Sequence, residues 1–245
     1  MKKISLIITG LAIIFLSACE EDTTAGLSKV TNYPLINVAG ANPVFLAKGD
    51  TYTEPGVTAT EGGAEIDVVT TANGAYRGGT ELDTDVSDCY NVTYTATNVD
   101  GFDGTANRTV YVVETGDLVS SIEGLYTCDL ERTHPVNATR NQNGNSFILI
   151  YKNDDGTYGM SCGIGGYYEI GVGYGVGFHA PCTITANDIA ANDFTIEDFT
   201  SAYGGWPWPY TMNSFTVDAA NKKINFVSEW AIGYTFTCEL TQVQL

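Results

Sequence analysis

The chain has 245 residues, 44% of them hydrophobic, with 29 acidic against 11 basic side chains and a net charge of −18. That balance repels nucleic acid and anionic lipid, which need Lys and Arg to neutralise phosphate, so no nucleic-acid partner is expected; neutral ligands and cations stay open. The hydrophobic content suffices for packed cores rather than disorder, and the length suits two domains of about a hundred residues after a leader.

Residues 1–18 read as a signal peptide. Lys2 and Lys3 form a short basic region, Ile4 to Leu16 an apolar run, and Leu16-Ser17-Ala18-Cys19 a small-residue cleavage site. The run is too short for a membrane span, which takes ~20 apolar residues. Leu-Ser-Ala-Cys resembles the lipobox of bacterial lipoproteins, which implies acylation of Cys19 and an attachment to the outer membrane through that amino-terminal lipid. Glu20-Glu21-Asp22 resembles the surface-export signal of Bacteroidetes-type lipoproteins, which favours the outer face of the membrane over its periplasmic face. Asp22-Thr23-Thr24 resembles the short O-glycosylation pattern of such bacteria. Loss of residues 1–18 leaves nine basic against 29 acidic side chains, a net charge of −20.

Once Cys19 carries lipid, Cys89, Cys128, Cys162, Cys182 and Cys238 remain, and an odd count leaves at least one thiol free. Neither a C-x-x-C nor a Cys/His cluster at zinc spacing occurs, so neither a metal site nor a cofactor is expected.

Residues 19–33 form a polar, acidic tether, and regular β signals begin near Pro34. Val92, Tyr94 and Ala96 alternate with Thr93, Thr95 and Thr97, the period of a half-buried strand; Val110 and Val112 continue the pattern around Tyr111. Asp100-Gly101-Phe102-Asp103-Gly104 between them carries two Asp-Gly turn signals. Helical periodicity is absent, and short strands split by Gly, Asn and Asp turns point to a β-sandwich over residues 34–114.

Three motifs in order carry a resemblance here: Gly49-Asp50-Thr51-Tyr52-Thr53-Glu54-Pro55-Gly56-Val57-Thr58-Ala59, then Tyr90-Asn91-Val92-Thr93-Tyr94-Thr95-Ala96-Thr97-Asn98, then Arg108-Thr109-Val110-Tyr111-Val112. They resemble a bacterial immunoglobulin-like domain of unknown function found in Bacteroidetes surface lipoproteins, which implies a spacer or binding module and no catalysis. Glu54 stands where that pattern more often has Asp, and Cys89 where Gly commonly precedes the first Tyr.

Thr115-Gly116-Asp117 begins a short hinge, and residues 122–245 form a second antiparallel β domain. Its strands are expected near 124–131, 146–152, 157–162, 176–186, 193–199, 213–218, 222–229 and 233–243. About eight strands can close into a barrel or fold as a sandwich, so the fold class is all-β. On closure the first and last strands are neighbours, which brings Cys128 and Cys238 into contact, with a disulfide left open. Gly165-Gly166-Tyr167-Tyr168-Glu169 and Gly173-Tyr174-Gly175 resemble the carboxy-terminal module that accompanies this immunoglobulin-like family.

Signals for catalysis are weak. A Ser-His-Asp hydrolase needs a histidine shuttle and a nucleophile on a sharp turn. The histidines are His134 and His179, no G-x-S-x-G occurs, and His179 lies in an apolar pattern. Glu197-Asp198 and Asp154-Asp155 read as strand and turn residues rather than an acid–base pair. The seven glycines from Gly163 to Gly177 precede neither a helix nor a lysine, so a phosphate cradle fails; bulges, or close packing of aromatic rings on backbone, are expected. Asn98-Val99-Asp100-Gly101 and Thr139-Arg140-Asn141-Gln142-Asn143-Gly144 read as turns rather than calcium loops. No enzyme is expected.

The segment Tyr203-Gly204-Gly205-Trp206-Pro207-Trp208-Pro209-Tyr210 stands out. Two prolines and two glycines make it a loop, and it carries two of the three tryptophans. Flat aromatic faces stack on the C–H faces of sugars, and Trp and Tyr are enriched at binding hot spots. Tyr203, Trp206, Trp208 and Tyr210 are therefore the candidate ligand-binding residues, either as an exposed platform or as a plug under the barrel. The expected function is a non-catalytic surface lipoprotein that binds glycan for polysaccharide uptake, with a polysaccharide or an outer-membrane protein as partner. A structural or adhesive protein, or a lipocalin-like carrier of a small apolar ligand, stands as the alternative.

Overall fold

The computed structural model describes residues 30–245; the leader, Cys19 and the tether up to residue 29 lie outside the described residues. The first seven strands are β1 (Leu35–Val38), β2 (Val44–Ala47), β3 (Val57–Glu61), β4 (Ala64–Ile66), β5 (Val69–Gly74), β6 (Asp88–Thr97) and β7 (Asp103–Val113). They form two sheets, β1-β3-β4 and β2-β7-β6-β5, with β2 parallel to β7. Tyr90, Val92, Tyr94, Val110 and Val112 fill the space between the sheets, so the alternation along β6 sets its inward face. Only the first Asp-Gly pair turns the chain: Asn98 Oδ1 accepts the Asp100 and Phe102 amides, while Gly104 already lies in β7. A Cβ on Gly104 would stand 2.9 Å from the Pro34 carbonyl oxygen, so that glycine serves close backbone approach.

Glu54 has a definite task. Arg108, fully buried, donates to its Oε1 at 2.9 Å, Tyr52 donates to Oε2 at 2.5 Å and Tyr94 donates to the same oxygen. Arg108 also donates to the Ala39 and Ala41 carbonyls. The buried charge is thus both paired and hydrogen-bonded.

Eight further strands follow: β8 (Gly124–Thr133), β9 (Arg140–Lys152), β10 (Tyr158–Met160), β11 (Cys182–Asp188), β12 (Asp193–Ile196), β13 (Tyr210–Asp218), β14 (Lys223–Trp230) and β15 (Tyr234–Gln242). Their order is β12-β11-β10-β9-β8-β15-β14-β13, an up-and-down meander in which first and last strands pair. Between β12 and β13 the wall is joined by one bridge, Phe199 with Tyr210, and by Asn192, whose Oδ1 accepts the Val217 amide at 2.6 Å. The sheet is a nearly closed barrel rather than a sandwich.

Three stretches depart from expectation. Residues 140–144 belong to β9, with an irregularity in register opposite Cys128 and Asp129, rather than to a turn. The strand expected over 176–186 begins only at Cys182, because Val176–Phe178 is a 3-10 turn. A single π-helical turn, Tyr167–Gly171, follows the first glycines where no helix was expected.

That turn belongs to a segment folded into the barrel. A Cβ on Gly165 would lie within 3 Å of Leu130, Cys128 and Cys238, all three on the inward face, and its φ of +64° favours glycine in any case. Cys128 and Cys238 are neighbours on the inward face as thiols, not joined, and all five cysteines of the described residues are free and buried. Tyr126, Tyr210, Phe226 and Phe236, each essentially inaccessible, complete the interior.

The two domains share a core. Phe147-Ile148-Leu149-Ile150-Tyr151 in β9 has no polar alternate because both faces are covered: Ile148 and Ile150 face the barrel interior, while Phe147, Leu149 and Tyr151 meet Cys89, Tyr111, Val113 and Phe45 of the sandwich. Phe45 stacks on Tyr111 at 5.7 Å and meets Phe147 edge-on at 5.4 Å. The expected hinge after Thr115 is packed instead. Leu118 and Ile122 are buried in the barrel core, and Gln242 donates to the Gly116 carbonyl.

Candidate functional site

In an up-and-down barrel, successive connections alternate between the two ends. Residues 153–157, 189–192 and 219–222 turn at one end; residues 134–139, 161–181, 197–209 and 231–233 gather at the other. The long connections all fall at this second end, and they bring the aromatic residues together. Tyr203 stacks on Phe178 at 4.4 Å, Phe178 meets Trp206 at 5.2 Å, and Trp206 meets Tyr168 at 4.7 Å and Trp230 at 5.3 Å. Tyr174 joins from above Tyr168 and Phe178, at 6.2 and 5.0 Å.

The loop is fastened at both ends. Ala202 donates to the His179 carbonyl, Trp206 N to the Tyr203 carbonyl, and Trp230 Nε1 to the Trp208 carbonyl at 3.1 Å. Of the four candidate residues, the structure places Trp208 and Tyr203 outward, 48% and 43% exposed. Trp206 is half-buried over the barrel core. Tyr210 opens β13 and is fully buried, stacked on Trp230 at 5.1 Å, so it leaves the ligand-facing set. Plug and platform are both present in one loop: Trp206 and Tyr210 seal, and Tyr203 and Trp208 face water.

Sequence reasoning missed Tyr168, Tyr174, Phe178 and Trp230 as neighbours of this loop. The stretch from Gly163 to Gly177 already carried the first two and runs up to Phe178; of its seven glycines only Gly163 packs under an aromatic ring, a Cβ there standing 2.5 Å from Phe199, while Gly173, Gly175 and Gly177 face open space. Only the alternation of connections tells that the two aromatic stretches share an end.

Below the rim lies a polar contact between domains. Glu169, 6% exposed, accepts a 2.8 Å hydrogen bond from Tyr76 of the sandwich, and its other oxygen is buried without a partner. Burial pushes its carboxyl up to about 7, against the Tyr76 hydrogen bond. The His179 ring sits 5.6 Å from Tyr76, its Nδ1 2.6 Å from the Val176 carbonyl, and burial lowers its pKa. Asp198 accepts from Thr211 and Asp155 from Thr157, so these acids fasten turns and strands. Among the described residues no cluster of three or more His, Cys, Asp or Glu could hold a metal.

The fold is an immunoglobulin-like sandwich that carries a barrel with an aromatic end, and the comparisons place this pairing among bacterial surface proteins. Residues 36–112 match the family of the bacterial surface protein Ig-like domain. Residues 115–242 match a family model described as a C-terminal domain; that match takes in more than half of the chain, so the chain belongs to this family. Neither is a family of enzymes. The chain is similar to the lipoprotein BT2262 from Bacteroides thetaiotaomicron, whose crystal structure aligns at 26% identity and a TM-score of 0.67, over 86% of this chain and 100% of that one. No curated protein matches it.

Proposed function

We propose that this surface protein is a non-catalytic lipoprotein, held to the outer face of the outer membrane through acylated Cys19, that binds glycan for a polysaccharide-uptake system. The observation that carries the reading is the pair of outward rings, Tyr203 and Trp208, set on a fastened loop above a rigid aromatic base. A loop whose backbone is already fastened loses little entropy when a sugar stacks on its rings.

The spacer role has geometric support. The described chain enters beside the β6–β7 turn, where Asn98 donates to the Asn32 carbonyl, and crosses to the barrel at Val113. β7 is 11 residues long, so at ~3.3 Å per residue the sandwich holds the barrel roughly 35 Å from the tether. The interior is filled by residues 161–171 and aromatic side chains, which supports the rim rather than a lipocalin-like cavity as the seat of a ligand.

Affinity electrophoresis of the mature chain across a polysaccharide panel tests the proposal. Retardation that disappears in Trp208→Ala and Tyr203→Ala, with unchanged thermal unfolding, is the expected result. Unretarded migration in every gel would favour a protein partner for the same exposed rings.

A further inference from the structure

We infer that the sugar taken at this rim is an acidic one, a uronic-acid-type residue whose carboxylate seats between Arg132 and Arg140. The inference rests on reading the aromatic rim as a sugar platform. It concerns the cleft of about 410 Å³ that continues the rim past Tyr168 and Tyr174, within the size range of small-molecule sites.

Arg132 and Arg140 stand directly opposite each other on β8 and β9. Like charges in that relation destabilise a sheet unless something neutralises them. Among the described residues nothing does: no Asp or Glu lines the cleft, and neither arginine has a carboxylate partner. The acid content makes this notable, since 29 acidic side chains were available. The remaining two of the four arginines serve packing: Arg108 is paired with Glu54, and Arg77 lies 4.8 Å over the Tyr151 ring.

Arg132 is also held ready. Its guanidinium lies over both the Tyr167 and Tyr234 rings, 5.1 and 4.8 Å from their centroids, and one nitrogen donates to the Ala138 carbonyl at 2.8 Å. Its Nε is buried without a partner. A fixed planar fork suits a planar carboxylate, which accepts two parallel hydrogen bonds. Tyr168, Tyr174 and Asn137 around it offer ring faces and an amide to the rest of a pyranose. At physiological salt the Debye length is about 8 Å, so a carboxylate in the cleft senses the two guanidiniums far more than the acidic remainder.

The test is affinity electrophoresis of the mature chain in gels of polygalacturonate, its fully methyl-esterified form, neutral galactan and dextran sulfate. The expected result is retardation by polygalacturonate, lost on esterification and weakened about tenfold or more in Arg140→Gln. Arg140 is exposed, so that variant keeps the fold; Arg140→Lys, which retains charge without the fork, should fall between. Equal retardation by the esterified or neutral polymer, unchanged in Arg140→Gln, overturns the acidic assignment and leaves the platform standing. Equal retardation by dextran sulfate overturns the carboxylate assignment. Loss in Arg140→Gln with full binding in Trp208→Ala removes the platform instead, and migration unaffected by any polymer removes both.

Discussion

Tyr76 of the sandwich and Glu169 of the barrel are joined by a 2.8 Å hydrogen bond that crosses the domain boundary, with the Glu169 carboxyl buried. A carboxyl there is easier to keep neutral than charged, and its titration is coupled to folding.

Stability should therefore fall as pH rises from about 4.5 to about 7. In that window the unfolded chain has released the Glu169 proton and the folded chain still holds it, so the native state binds more protons and is penalised by rising pH. The full effect is roughly 3 kcal/mol. Asp88, also raised by burial, acts in the same sense, and His179, lowered by burial, in the opposite one. Comparison with Glu169→Gln isolates the contribution: thermal unfolding from pH 4.5 to 8 should flatten in the variant. Parallel profiles for the two proteins would count against it.

Trp208→Ala and Trp206→Ala should separate binding from folding. Trp208 is half exposed at the end of a loop, so its removal should cost no more than about 1 kcal/mol. Trp206 packs on Tyr168, Phe178 and Trp230, and its truncation should cost about 2–3 kcal/mol. Chemical denaturation of both variants measures the difference.

Leu149→Asp should part the domains. The side chain is fully buried between them, and a carboxylate there has no partner. Calorimetry should show one transition in the wild type and two in the variant; a single, merely lowered transition would mean that the barrel itself fails. Leu149→Ala should cost about 2–5 kcal/mol without adding a transition.

Arg108→Met should destabilise the sandwich by about 2–3 kcal/mol, because it leaves the partly buried Glu54 carboxylate and the Ala39 and Ala41 carbonyls without their donor. The double variant Arg108→Met/Glu54→Gln should recover part of that loss. Urea unfolding of both checks the coupling.

The thiols should be silent in the native protein. Burial pushes Cys89 and Cys162 up to about 12, and none of the five is accessible. Alkylation should label no cysteine of residues 30–245 before denaturation and all five after it.

Strand content was legible where one face meets water. Val92, Tyr94 and Ala96 alternate with threonines, and Tyr234, Phe236, Cys238 and Leu240 alternate with Thr235, Thr237, Glu239 and Thr241 in β15. The meeting of Cys128 with Cys238 followed from closure alone. Other features lacked a local signal. Residues 115–121 looked like a hinge because glycine and aspartate dominate its start, yet Leu118 and Ile122 anchor it. Arg140 looked like part of a turn because Asn and Gly surround it, but pairing with β8 overrides that preference. The aromatic loop was legible by composition; its partners were not, since Tyr168 and Trp206 lie 38 residues apart and meet only through barrel connectivity.

The doubly covered strand at residues 147–151 has a mechanical consequence. A pull applied at the barrel rim passes along β9 into Tyr111 and down β7, with no slack segment between the two bodies to stretch first. Orientation travels the same route: turning the sandwich by some angle turns the aromatic end by the same angle, so the direction in which the rim faces is set where the chain enters the sandwich.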